Sequence, residues 1–94
     1  MNNASVLPLS GAPAHAEISA FRTRLRTLRL QRFLTQEDLA KRSGLSRTTI
    51  RRLEAGDVRP RIHTVTVLAR GLEVAPDDLV PDPAQLWAAE KADE

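Results

Sequence analysis

Ninety-four residues and 10.4 kDa leave room for one small core with its tails, not for a second, ligand-sensing domain. The chain has no cysteine, which excludes a disulfide framework, a thiolate zinc site and a thiol nucleophile, and no apolar run approaches the ~20 residues of a membrane span. Fourteen Lys and Arg against twelve Asp and Glu give only +2, yet residues 18–72 carry thirteen bases and four acids, and residues 73–94 one lysine and seven acids.

Such a basic body with an acidic end suits a polyanionic partner. Its aromatic residues are Phe21, Phe33 and Trp87, too few to stack bases along a single strand. Residues 1–17 read as a loosely ordered tail, since residues 1–16 mix Asn, Ser, Pro, Gly and Ala. With no Lys or Arg this tail has nothing to offer a phosphate, so a passive extension is expected. It also lacks a basic stretch ahead of a long apolar run, so no secretory signal is expected and the cytoplasm is the default.

From Ile18 the pattern is helical: Ile18, Phe21, Leu25 and Leu28 recur at steps of three and four, with arginines mostly between them. Thr35 can cap a second helix, with Asp38 placed to close a capping box. That helix buries Leu39 and Ala40 and stops near Gly44. Ser46 caps a third helix, which Gly56 terminates. Pro60 prevents an immediate restart, and a fourth helix carries Val65, Leu68, Ala69 and Leu72. A short fifth helix begins at Pro76, with Asp77 and Asp78 beside its positive end. No alternating strand pattern of useful length occurs, so the fold is all-α.

The segment 36–55 meets the demands of a helix-turn-helix. Ala40 is small where two helices cross, Gly44 permits the tight turn, and Leu39, Ile50 and Leu53 fill the wedge between them. At 100° per residue, setting Ile50 and Leu53 inward turns Thr48, Arg51, Arg52 and Ala55 outward, with Arg47 leaving the first turn at the side. An arginine on such a face can hydrogen-bond guanine O6 and N7 in a major groove, and Thr48 can meet a base edge or a thymine methyl. Arg51 can reach either a base or a phosphate. Gln36 opens the second helix, where its amide and the free N–H groups can meet a phosphate oxygen. Arg59 and Arg61, in the loop after the third helix, are expected to clamp phosphate, while Ser46 caps its helix and can approach the backbone. Lys41 and Arg42 are as well explained by solvation as by contact.

The run LRTLRLQRFLTQEDLAKRSGLSRTTIRRLEAGDVRP, continued by VTVLARGLEVAPDDL, resembles the phage-repressor-like helix-turn-helix family, the Xre and Cro group. The resemblance covers residues 18–80 and leaves an acidic tail at 81–94 with room for a short helix. It implies a five-helix, lambda-repressor-like domain that commonly binds palindromic operators as a homodimer. It further implies base contacts at Arg47, Thr48 and Arg52, and a phosphate contact at Gln36. A partly buried salt bridge between Arg29 and Glu54, holding Arg29 near phosphate, follows from the same resemblance. Phe33, Arg61, Glu73 and Ala75 depart from the family's usual caps and glycines, and Gly71 lies inside the fourth helix. Marginal stability of the fourth and fifth helices is therefore expected.

The rest of the chemistry is sparse. His15 and His63 have no cysteine to complete a metal set, no nucleophile–base pair can be argued, and no cofactor is implied. The function expected is a sequence-specific double-stranded DNA-binding regulator, a repressor acting as a homodimer, not an enzyme. The alternative is an antitoxin or adaptor whose C-terminal segment binds a protein partner and whose DNA binding is autoregulatory. Leu86 and Trp87 bear on this choice: they fold back onto the weakly capped helices or meet a second subunit, and folding back is favoured because the core needs cover.

Overall fold

Alanines start the first helix earlier than the apolar spacing indicates. The computed structural model describes residues 12–81 together with Pro83, Ala84, Leu86 and Trp87, and its first helix, α1, spans Ala12–Gln31. Of the expected tail, residues 1–11 lie outside the described residues, whereas residues 12–16 are helical. Ala12, Ala14 and Ala16 are the strongest of helix formers, and Pro13 sits in a first turn whose N–H groups have no intrahelical acceptor. Phe21 and Leu25 are sealed on one face of α1, and Arg22, Arg24 and Arg26 are exposed on the other.

Four shorter helices follow: α2 (Gln36–Ser43), α3 (Arg47–Ala55), α4 (Ile62–Leu72) and α5 (Pro76–Leu79), with no strand among the described residues. The capping box expected at α2 is formed: the Asp38 N–H donates to Thr35 Oγ1 at 2.9 Å, and the Thr35 N–H donates to Asp38 Oδ2 at 2.9 Å. Gly44 ends α2 at φ 81°. A Cβ there would meet nothing within 4 Å, so the glycine answers the left-handed backbone and not a lack of space. Ser46 then caps α3, accepting from the Thr49 N–H at 3.0 Å.

Three helix ends close in one way. At Phe33, Gly56 and Glu73 a left-handed residue donates three residues back, and its successor donates five residues back. That is the Schellman closure. Glycine fills it at Gly56, but Phe33 (φ 58°) and Glu73 (φ 61°) adopt positive φ with full side chains. The departures singled out in the sequence thus produce backbone strain and not a different ending. Arg61 and Ala75 supply no side-chain cap to α4 and α5, although Asp78 Oδ2 accepts from the Ala75 N–H at 3.1 Å.

The core gathers one face of every helix. α2 packs against α3 and α4, while α5 bridges α4 and α1. Gly71 has a reason beyond propensity: a Cβ there would stand 3.3 Å from Arg42 Cβ and 3.4 Å from the Arg42 backbone, so α4 and α2 meet at a glycine's width. The weak helix former is the condition of that close crossing. Beyond α5 the chain folds back. Pro83, Ala84, Leu86 and Trp87 have helical backbone, Leu86 is 0% exposed, and the Trp87 indole N–H donates to the Pro60 carbonyl at 2.9 Å. Of the two expected fates for these apolar residues, packing within the chain is the one observed.

Candidate nucleic-acid interface

Burial sorts α3 into two faces. Ile50 is 0% and Leu53 2% exposed, and Glu54 is buried beside them, while Arg47, Thr48, Arg51, Arg52 and Ala55 are exposed. Every side chain expected to face bases therefore lies on the open side of a helix whose other side is locked to the core. The three arginines beyond Arg47's turn are spread rather than stacked. Arg47 borders Thr35, Gln36 and Glu37 at the start of α2. Arg51 borders Arg26, Gln36 and Ala55 on the α1 side, and Arg52 borders Arg59 and Arg61 on the α4 side.

Glu54 holds this face in place. Its carboxylate accepts from Arg29 twice, with Nε to Oε2 at 2.6 Å and Nη2 to Oε1 at 3.0 Å. Such a bidentate geometry is the strong form of an ion pair. The pairing raises the Arg29 pKa above its already high ordinary value, chiefly through the hydrogen bonds, against the opposing effect of burial. A third donor, Arg29 Nη1, reaches the Leu34 carbonyl at 2.7 Å, tying the α1–α2 corner to the same guanidinium. Gln36 Nε2 adds a bond to Glu54 Oε1 at 3.2 Å. One carboxylate thus joins α1, α2 and α3.

Arg29 and Glu54 pair as the resemblance implied, but Arg29 is only 8% exposed. The guanidinium proposed for phosphate is largely spent inside the protein, and its place is structural. Gln36 remains half-buried at the first residue of α2, and Ser46 is exposed at its cap. Arg61 is exposed, whereas Arg59 is half-buried, and its Nε is sealed from solvent without a hydrogen-bond partner among the described residues. A buried donor of this kind stabilises the fold only when an acceptor comes to it. Arg42 Nη1 donates to the Gly71 carbonyl at 3.3 Å, so its tie is to α4. Lys41 is exposed.

Three contacts had no signal in the sequence: Gln36 to Glu54, Arg29 to the Leu34 carbonyl, and Trp87 to the Pro60 carbonyl. The first and last join residues 18 and 27 positions apart, and local periodicity carries no information at that range. The acceptor of Trp87 and one acceptor of Arg29 are backbone carbonyls, which any residue type supplies.

Comparison with known proteins agrees with this geometry. Residues 20–82 match the family described as a helix-turn-helix domain. An uncharacterized HTH-type transcriptional regulator of Archaeoglobus fulgidus is 39% identical over 67 residues, which are 70% of this chain and 96% of that protein. The solved structure of the restriction-modification controller protein C.AhdI from Aeromonas hydrophila is similar at a TM-score of 0.66 and 36% identity, covering 68% of this chain and 97% of that one. An HTH_3 family transcriptional regulator from Vibrio cholerae superposes at a TM-score of 0.69 and 27% identity, over 82% of this chain and 43% of that one. A family match across most of the chain, an archaeal regulator matched over nearly its whole length, and a base-reading face set on a fixed helix lead to one conclusion: the chain belongs to the helix-turn-helix family of DNA-binding transcriptional regulators, of the Xre and Cro kind.

Proposed function

We propose that the protein is a sequence-specific repressor that binds a palindromic operator as a homodimer, with α3 of each subunit in the major groove. The observation that carries this reading is the sidedness of α3: Arg47, Thr48, Arg51 and Arg52 are open while Ile50, Leu53 and Glu54 are buried. Arg47 and Arg52 meet base edges, most plausibly guanine, and Thr48 a neighbouring base. Gln36 with the α2 N-terminus, Ser46, and Arg59 with Arg61 meet phosphates on either side of the groove. Repression follows where the operator overlaps a promoter, and the cytoplasm is where such a site would be met. The similarity to C.AhdI supports a regulator that works through this surface.

The adaptor alternative would use Leu86 and Trp87 as its anchor. Leu86 is 0% exposed and the Trp87 indole is engaged with Pro60, so that anchor is already occupied within the chain.

Binding-site selection from random duplexes, with the parent and three variants, tests the proposal. Arg52→Ala removes ~1–3 kcal/mol of discrimination at one base pair per half-site, at two symmetric positions about 34 Å apart. Arg59→Ala or Arg61→Ala weakens all sequences alike and shallows the logarithmic salt slope by about one. Parent affinity falls steeply with salt, by about −0.9 in slope for each charged phosphate contact. A flat salt response refutes the DNA-binding reading, and an Arg52→Ala protein with the parent's full preference removes Arg52 as a reader.

A further inference from the structure

The loop between α3 and α4 carries Arg59 and Arg61 but has little of its own to hold it. Among the described residues, Val58, Arg59 and Pro60 make no backbone–backbone hydrogen bond. Pro60 has no N–H to donate, and its carbonyl is the one backbone acceptor of this stretch that the described residues engage. The donor is the Trp87 indole, 2.9 Å away and 27 residues further along the chain. Leu86, next to it, is 0% exposed in the core, and Pro60 is among the fully buried side chains. The C-terminal segment is thus seated in the core by Leu86 and grips the loop through Trp87, between its two arginines.

We propose that Trp87 is a positioning residue for the phosphate-contacting loop: its indole N–H fixes the Pro60 carbonyl and thereby sets the direction in which Arg59 and Arg61 project. This rests on the DNA-binding reading above. The physical reason is that an arginine meets a phosphate at a defined distance only when its backbone is fixed. A loop free to move must be ordered when DNA binds, and that ordering opposes affinity. The segment beyond α5, which the family resemblance does not cover, then acts on DNA affinity without touching a base. Trp87 acts through the loop, so the effect falls on affinity and salt dependence and leaves sequence preference intact.

Trp87→Phe keeps an aromatic ring and removes the donor. The expected result is binding about threefold to tenfold weaker for every duplex, the scale of one displaced hydrogen-bonded contact. The logarithmic salt slope becomes shallower by about one to two, as one or both arginines lose their phosphates, with the parent's base preference at every position. Leu79→Ala, a core truncation away from the loop, is the stability control. If Trp87→Phe keeps the parent's affinity and slope, the proposal fails. It also fails if Trp87→Phe loses affinity with the parent's slope and Leu79→Ala does the same, since that marks a stability effect alone.

The parent supplies a second measurement that needs no variant. The chain has one tryptophan, so a single indole N–H resonance reports on Trp87. That resonance exchanges slowly with solvent in the free protein and shifts in step with saturation by a selected duplex. An indole signal in fast exchange, or one unmoved at saturation, overturns the proposal. A parent with no salt-dependent duplex binding overturns the regulator reading itself, an outcome separate from any difference between the parent and Trp87→Phe.

Discussion

Glu54→Ala is the sharpest test of how this fold is held. The substitution removes both acceptors of the Arg29 guanidinium on α3 and the acceptor of Gln36, leaving the Leu34 carbonyl as the one remaining partner of Arg29. The Arg29 side chain is 10% exposed, so its charge would stay nearly dry and unpaired. Removing one partner of a buried ion pair costs about 3–5 kcal/mol, and the residual exposure of Arg29 places this case near about 3 kcal/mol. For a domain of this size each kcal/mol moves Tm by roughly 4–8 °C, so the variant melts about 12–24 °C below the parent. Total stability for such a chain is on the order of 5–10 kcal/mol, which leaves Glu54→Ala folded in the cold and measurable. Urea and thermal unfolding followed by circular dichroism supply the numbers. The double variant Arg29→Met/Glu54→Leu removes both charges and comes within about 1 kcal/mol of the parent, because no unpaired charge remains. The cost of Glu54→Ala also changes little between low and moderate salt, since a buried pair is weakly screened. A cost below about 1 kcal/mol would be that of a surface pair and would refute the argument. So would a double variant as unstable as the two single changes together.

Other perturbations follow from the same geometry. Phe33 is 93% exposed at φ 58°, so its ring gains little by burial while its backbone is strained; Phe33→Gly raises stability by about 1 kcal/mol, and a lower Tm would show that the ring is engaged. Gly71→Ala gains helix propensity of about 1 kcal/mol in an open helix. Here the new Cβ meets the α2 backbone of Arg42, so Tm does not rise, and a clear rise would mean that the two helices can separate freely. Asp38 is held below the usual aspartate range by the Thr35 backbone N–H first and the Thr35 hydroxyl second. A carboxylate depressed in the folded state stabilises it fully above its unfolded pKa of about 4 and loses that contribution as pH falls through the lower folded value. The Tm gap between parent and Asp38→Asn is therefore constant above about pH 5 and closes as acid is added; a gap independent of pH refutes the capping role.

Much of the fold was legible because its signals are local. Apolar spacing, Thr35 with Asp38, Gly44, Ser46 and Gly56 each act within one helical turn, and α2, α3, α4 and α5 lie where those signals put them. The outward face of α3 was legible for the same reason, since 100° per residue fixes which side chains share a side once Ile50 and Leu53 are inward. The start of α1 was not. Periodicity registers only where large apolar residues recur, and an alanine-rich first turn forms helix without any.

Sequence alone therefore determined the order of helices, their caps, and the group of side chains presented by α3, all consequences of steric and hydrogen-bonding rules that span about four residues. The tertiary structure decided the rest. It showed that Gly71 is the contact width of α4 on α2, that Arg29 spends its guanidinium on Glu54 and Leu34 and so lies buried, and that Trp87 reaches back to Pro60. Each depends on where two distant segments come to rest against one another. That separation is set by the packing of the whole core, and no window of neighbouring residues contains it.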